Sequence, residues 1–292
     1  LICIKALAAV PEQVQPGKIM LYGGPPMAHA GSIPSWAANS PLVIHAPTMD
    51  DPWRWLGRGW EDLWRNPGWS LGYGAAFVLI GFAVTVGLWA AGLESMAPAL
   101  AAGFTLLGPV LAIGLYEMSR RYEAGEPVSL NEVVAPRLPS PPQFAFLAFA
   151  LMFLFLVWLR LAMLNYAMFA YGDYTPFAQF TAFALKTEQG LTMLVVGTLI
   201  GGALAAIAYA VSVVSVPLLL RHDVDVLTAI WISFQTVVHH PGPMLLWAWL
   251  IAVLTAIGLA TMFLGLIVIF PLIGHATWHA YRTIVAGERS AL

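Results

Sequence analysis

Charge is scarce in this chain. Aspartate, glutamate, lysine and arginine make up 10% of it, against about a quarter in soluble domains, so lipid rather than water is its main solvent. Cysteine is scarcer still. Cys3 is the only one, which excludes a disulfide framework and a thiolate metal cage. Basic residues form no cluster and the net charge is -2, so no nucleic-acid partner is expected. Absent too are Gly-x-Ser-x-Gly, a phosphate loop, His-Glu-x-x-His and Cys-x-x-Cys, and the chain is read as a non-enzyme without cofactor. Apolar sequence is what the chain has in quantity. It is 60% hydrophobic, and between residues 70 and 285 the apolar residues gather in runs near the roughly 20 residues that cross a bilayer core.

The runs divide into six spans at about 70–91, 97–118, 144–171, 191–220, 243–263 and 266–285. The last two come from one stretch, Pro243 to Val285, which at about 1.5 Å per residue is too long for a single crossing and is divided near Gly265, an unbroken bent helix with its end on the surface being the competing reading. Basic residues test the topology. Arg54, Arg58, Arg65, Arg120, Arg121, Arg137, Arg221, Arg282 and Arg289 fall in alternate gaps or tails, and only Lys186 lies in an opposite gap. Basic loops stay on the cytoplasmic side, so both termini are expected inside. Six spans put Arg282 and Arg289 there; five would put them outside. Residues 1–50 are rich in Pro, Gly, Ala and Ser without helical or strand period, and are read as a disordered or non-native tail.

Two stretches before spans are amphipathic. Trp53, Leu56, Trp60, Leu63 and Trp64 form one stripe, and Leu227, Ile230, Trp231, Phe234, Val237 and Val238 form another. Such helices lie in a membrane interface, with Trp53, Trp60, Trp64 and Trp231 as anchors, or pack on the protein's own loops. The two stretches are also related. Asp51 precedes Pro67-Gly68, and Asp225 precedes Pro241-Gly242, at the same spacing. Pro109 precedes Ala124-Gly125-Glu126 as Pro271 precedes Ala286-Gly287-Glu288, aligning Tyr116 with Trp278, Glu117 with His279 and Arg120 with Arg282. The expected fold is all-α: a polytopic membrane protein of three repeats, each a surface helix followed by a transmembrane hairpin.

Few residues are placed to carry chemistry. Arg160 lies deep in the third span, where a charge must face protein, water or headgroups. A snorkelling arginine paired with Glu94 or Asp173 is the favoured reading, and an anion contact the other. Asn165 is the next intramembrane polar residue. Glu117 with Arg120 and Arg121 most simply forms a charge cluster at the inner face. His275 and His279 share one helical face at a spacing that suits a metal or haem. Neither has a carboxylate or thiolate at ligand spacing, and Glu117 stands at the matching position of the first hairpin. Metal-free protein with His279 beside an acidic neighbour is therefore expected.

Three separated motifs carry a resemblance. Trp55-Leu56-Gly57-Arg58-Gly59-Trp60-Glu61-Asp62-Leu63, Gly103 to Arg121 (GFTLLGPVLAIGLYEMSRR) and Pro271 to Arg282 (PLIGHATWHAYR) resemble, in order, a proteobacterial family of integral membrane proteins catalogued as domain of unknown function 2189. The resemblance spans roughly residues 45 to 287. It implies a six-helix protein of the bacterial inner membrane and supplies no activity. Among membrane lipids and inner-membrane subunits as partners, the expected role is a non-catalytic accessory or assembly subunit, with a small-solute transporter or channel as the alternative.

Overall fold

A computed structural model describes residues 21–22, 44–170 and 177–285. Strands β1 (Leu21–Tyr22) and β2 (Ile44–His45) pair in parallel. Twelve α-helices and one 3-10 turn (Glu94–Met96) follow among the described residues. The first five are α1 (Asp51–Arg65), α2 (Pro67–Ala90), α3 (Ala97–Leu111), α4 (Ile113–Ala124) and α5 (Leu130–Val134). Next come α6 (Pro141–Ala170), α7 (Phe177–Lys186), α8 (Glu188–Ser212) and α9 (Ser215–Arg221). The last three are α10 (Val226–His239), α11 (Pro241–Ala260) and α12 (Leu266–Val285). The chain is an all-α integral membrane protein. Among the described residues, five segments are long and apolar enough to cross a membrane: Pro67–Ala90, Glu94–Ala124, Pro141–Ala170, Glu188–Arg221 and Pro241–Ala260.

The sixth expected span does not meet that standard. The stretch from 243 to 285 does divide into two helices, but the second half of α12 carries His275, Thr277, His279, Tyr281 and Arg282, too polar for lipid. These residues face protein instead. Thirteen of the twenty residues of α12 are buried, from Pro271 to Val285. The turn at 261–265 sends α12 back against α11, and a Cβ on Gly258 would meet Leu266 and Ile269. Met262 and Phe263 hold positive φ angles of 53° and 69° in that turn, a conformation that side chains with a Cβ adopt at a cost.

Packing is uneven along the spans. In the most apolar windows of α2 and α6 only 11% and 17% is buried, so most of their surface is left for lipid. The large core lies at the arginine-bearing ends. It joins Trp55, Leu115, Tyr116, Met118, Trp247 and Trp278, among others. Two spans break as they enter it. Pro109 has no N–H to continue the ladder, and α3 gives way to α4 at Ala112. There the Tyr73 hydroxyl donates to the Leu111 carbonyl at 2.7 Å. Between α8 and α9, Ser233 Oγ accepts the Val214 N–H at 3.2 Å. Neighbouring helices thus satisfy backbone groups that the breaks expose.

The interfacial stripes are divided by this core. In α1, Trp55, Gly59, Asp62 and Leu63 face inward while Trp53, Trp60 and Trp64 are exposed. The inward set recurs at helical spacing, and Gly59 is there because a Cβ would strike the Ala276 backbone at 2.7 Å. In α10 the small residues Thr228, Ala229, Ser233 and Thr236 pack inward, leaving Leu227, Phe234 and Val238 outward and Trp231 half-buried. Each of these helices thus has one side packed on protein and the other open.

Of the tail expected over residues 1–50, most lies outside the described residues. The described end of it is packed. Ile44 is buried in the core, and Asp51 Oδ2 accepts the Thr48 N–H at 2.6 Å and its hydroxyl at 2.9 Å.

Candidate functional site

Four helices meet at a buried polar chain. α1 brings Asp62, α2 brings Ser70 in its first turn, α4 brings Ser119, and α12 brings His275 and His279. Ser70 Oγ lies 3.0 Å from His275 Nε2, and Ser119 Oγ lies 2.8 Å from His275 Nδ1. The Ser119 hydroxyl donates to Asp62 Oδ2 at 2.6 Å, and His279 Nε2 meets the same oxygen at 2.8 Å.

The donor inventory orients this chain. An ionised carboxylate only accepts, so the one Ser119 proton is committed to Asp62. Ser119 Oγ must then accept from His275, which places the imidazole proton on Nδ1. A neutral His275 then accepts from the Ser70 hydroxyl at Nε2. Every hydrogen bond between Ser70 and Asp62 therefore points the same way, toward the carboxylate. His279 supplies a second donor to it. Beyond His279 the chain reaches Glu123, 3.6 Å from Nδ1, and Glu123 in turn lies 3.2 Å from Arg282 Nε. Close by, Trp55 Nε1 donates to Thr283 Oγ1 at 3.1 Å, and Trp55 meets Trp247 edge to face.

Chemically, this arrangement holds protons in place and ties α1 to α12. Asp62 would otherwise be an uncompensated buried charge, and each partner offsets part of its desolvation. No group of three or more His, Cys, Asp or Glu side chains arranged to hold a metal occurs among the described residues. His279 has its acidic neighbours, Asp62 and Glu123, both distant in sequence or on another helix.

The other residues singled out by sequence separate into distinct places. Glu117 is buried and joins Arg120 through paired contacts at 2.9 and 2.7 Å, and Arg121 at 2.8 Å. Asn165 donates to the Met193 carbonyl at 3.0 Å and, with Trp158, lies on the small face of α8, where Cβ atoms on Gly197 and Gly201 would meet them. The close approach is therefore within the bundle. Arg160 is exposed, and no contact with Glu94 within 4.0 Å forms among the described residues. Asp173, its other expected partner, lies outside them. Ser70, Ser119 and Asp62 had no motif to mark them. The available signal was a carboxylate on the inward stripe of α1, in register with Trp55 and Gly59.

No curated protein and no solved structure matches the chain. Residues 96–221, from just before α3 to the end of α9, match the family model described as "Predicted integral membrane protein (DUF2189)", the family that the three sequence motifs resemble.

Proposed function

We propose that this chain is a non-catalytic accessory or assembly subunit of a larger complex in the bacterial inner membrane, with both termini cytoplasmic. One observation carries the reading. The α1 helix is held rigidly from behind, by Asp62, Trp55 and the close approach at Gly59, yet presents Trp53, Trp60 and Trp64 outward. Rigid, exposed tryptophans flanked by Arg54, Glu61 and Arg65 are the composition of a contact surface between proteins at headgroup depth. The outward Leu227, Phe234 and Val238 of α10 extend the apolar surface available to a neighbour.

The architecture belongs to the same proposal: six membrane-depth helices as three repeated units. Its support is local. The residue before each helix-starting proline, Asn66 and His240, has a similar extended-side backbone (φ -147°, ψ 79° and φ -124°, ψ 57°). The return of α12 along α11 supplies the sixth pass, shielded by protein rather than lipid. Transport is the runner-up, and intramembrane polar groups weigh against it. Thr85 and Thr105 bond carbonyls of their own helices, Asn165 is engaged with α8, and Arg160 faces outward. A solute path needs such groups to converge. The test is purification from native membranes in mild detergent, with a photo-crosslinking residue at position 60. A defined set of cross-linked subunits is expected. A lone monomer under several native growth conditions would overturn the proposal.

A further inference from the structure

A second polar feature lies apart from the buried chain, where three spans begin or end. Arg120 and Arg121 stand near the end of the segment Glu94–Ala124, Arg221 ends Glu188–Arg221, and Arg137 comes four residues before Pro141–Ala170. Together they line an open cleft of about 330 Å³. Its depth is that of the headgroups, because each of these segments leaves the apolar layer there.

The cleft is built, with a buried back and a more exposed mouth. Buried Glu117 forms the back, gripping Arg120 through two contacts and Arg121 through a third. Arg121 Nη1 also donates to the Pro127 carbonyl at 2.8 Å. At the mouth, the more exposed Glu126 and Glu132 reach Arg120 and Arg121. These bonds leave Arg120 Nη1 without a protein acceptor among the described residues. Arg137 and Arg221 are exposed and form no contact ion pair within 4.0 Å among the described residues. They act on Glu132 and Glu126 through space. The field inside is positive. Glu126 is held below the ordinary carboxylate range by its bond to Arg120 and by Arg121 and Arg221. Glu132 is held below it by its bond from Ser129 and by Arg121 and Arg137.

We infer that this cleft binds the phosphate of an anionic phospholipid headgroup, with Arg137 and Arg221 as the principal contacts and Arg120 Nη1 as a third donor. Guanidinium donors suit phosphate oxygens. Charge selects the class. Four arginines against three glutamates leave one net positive charge among the lining residues, which one phosphodiester neutralises and a dianionic phosphate monoester would exceed. Depth selects the source, since a lipid phosphate is already at that level while a soluble anion must come from water.

The full chain in detergent, titrated with phosphatidylglycerol or phosphatidylcholine and followed by native mass spectrometry, tests this. One phosphatidylglycerol per chain should be retained in preference to phosphatidylcholine. The double variant Arg137→Gln/Arg221→Gln should weaken that retention about thirtyfold. Lys186→Gln, at the exposed end of α7, should leave it unchanged. Monodisperse elution of each variant checks its fold. Displacement of the lipid by inorganic phosphate would overturn the lipid as the source. Equal retention of both lipids, or an unchanged preference in the double variant, would overturn the site.

Discussion

Ser119 is the pivot of the buried chain because it serves two partners with one hydroxyl. Ser119→Ala removes the hydroxyl that accepts from His275 Nδ1–H, leaving that N–H only the Leu115 backbone, and removes a donor from Asp62. Orphaning buried groups costs about 1–3 kcal/mol, so a clear drop in thermal unfolding temperature in detergent is expected. Asp62→Ala is worse. It strips Ser119 and His279 of their shared acceptor and should cost about 3–5 kcal/mol, as breaking a buried pair does. If Asp62→Ala unfolds no earlier than Ser119→Ala, the carboxylate is not the anchor described here. The spacing of His275 and His279 was readable as a shared helical face. Their partners were not, because Asp62 lies 217 residues from His279 and Ser70 lies 205 from His275. Helical periodicity carries no information across such separations.

α1 shows how an element divides its surface. Gly59 allows its backbone to approach α12, and Gly59→Ala drives a Cβ into Ala276 backbone atoms. Overpacking of this kind costs about 1–3 kcal/mol, and because it separates α1 from α12 it should also expose the Trp55 indole. A loss of stability with a red-shifted tryptophan emission is the expected result. Trp60→Ala, by contrast, removes an exposed ring. It should leave the unfolding temperature nearly unchanged while reducing recovery of bound subunits; equal loss of both would mean the ring supports the fold. The α11–α12 turn offers the opposite sign. Met262 is exposed with a φ of 53°, so Met262→Gly should stabilise by about 1 kcal/mol, read from the same thermal transition. Sequence alone marked Gly265 as the dividing point but could not place positive φ at Met262, since nothing in a methionine announces it.

For the molecule as a whole, acid should be the destabilising direction. His222, outside the spans, has its pKa lowered by burial and then by Arg221 and Arg282; burial and then His239 lower that of His240. Below the ordinary histidine value of 6.5 the unfolded chain takes up these protons first, so stability falls as pH drops from there. Glu126 and Glu132 act in a second window. Their lowered pKa values contribute stability above the ordinary carboxylate value of 4.5, lost as pH falls through the folded values. Unfolding temperature followed from pH 8 to about pH 3 should decline in two stages. His222→Gln should reduce the first, leaving the His240 contribution, without altering the second; a flat profile in the wild type would contradict both.

Membrane residence, the all-α class and five of the spans followed from the sequence, because hydropathy is a local property and lipid reads each helix separately. The amphipathic surface stretches followed for the same reason. Which side of each stretch faces protein was decided only by packing: the α1 stripe contains both buried Leu63 and exposed Trp60, and hydrophobicity does not distinguish an outward-facing tryptophan from a core leucine. The last helix is the sharpest case. Its polar second half, read locally, argues against a membrane segment. Its burial among α1, α2, α4 and α11 lets His275 and His279 lie inside the core at the arginine-bearing end. Partners for those histidines exist only after the chain has folded, since Asp62, Ser70 and Ser119 are brought to them by three different helices.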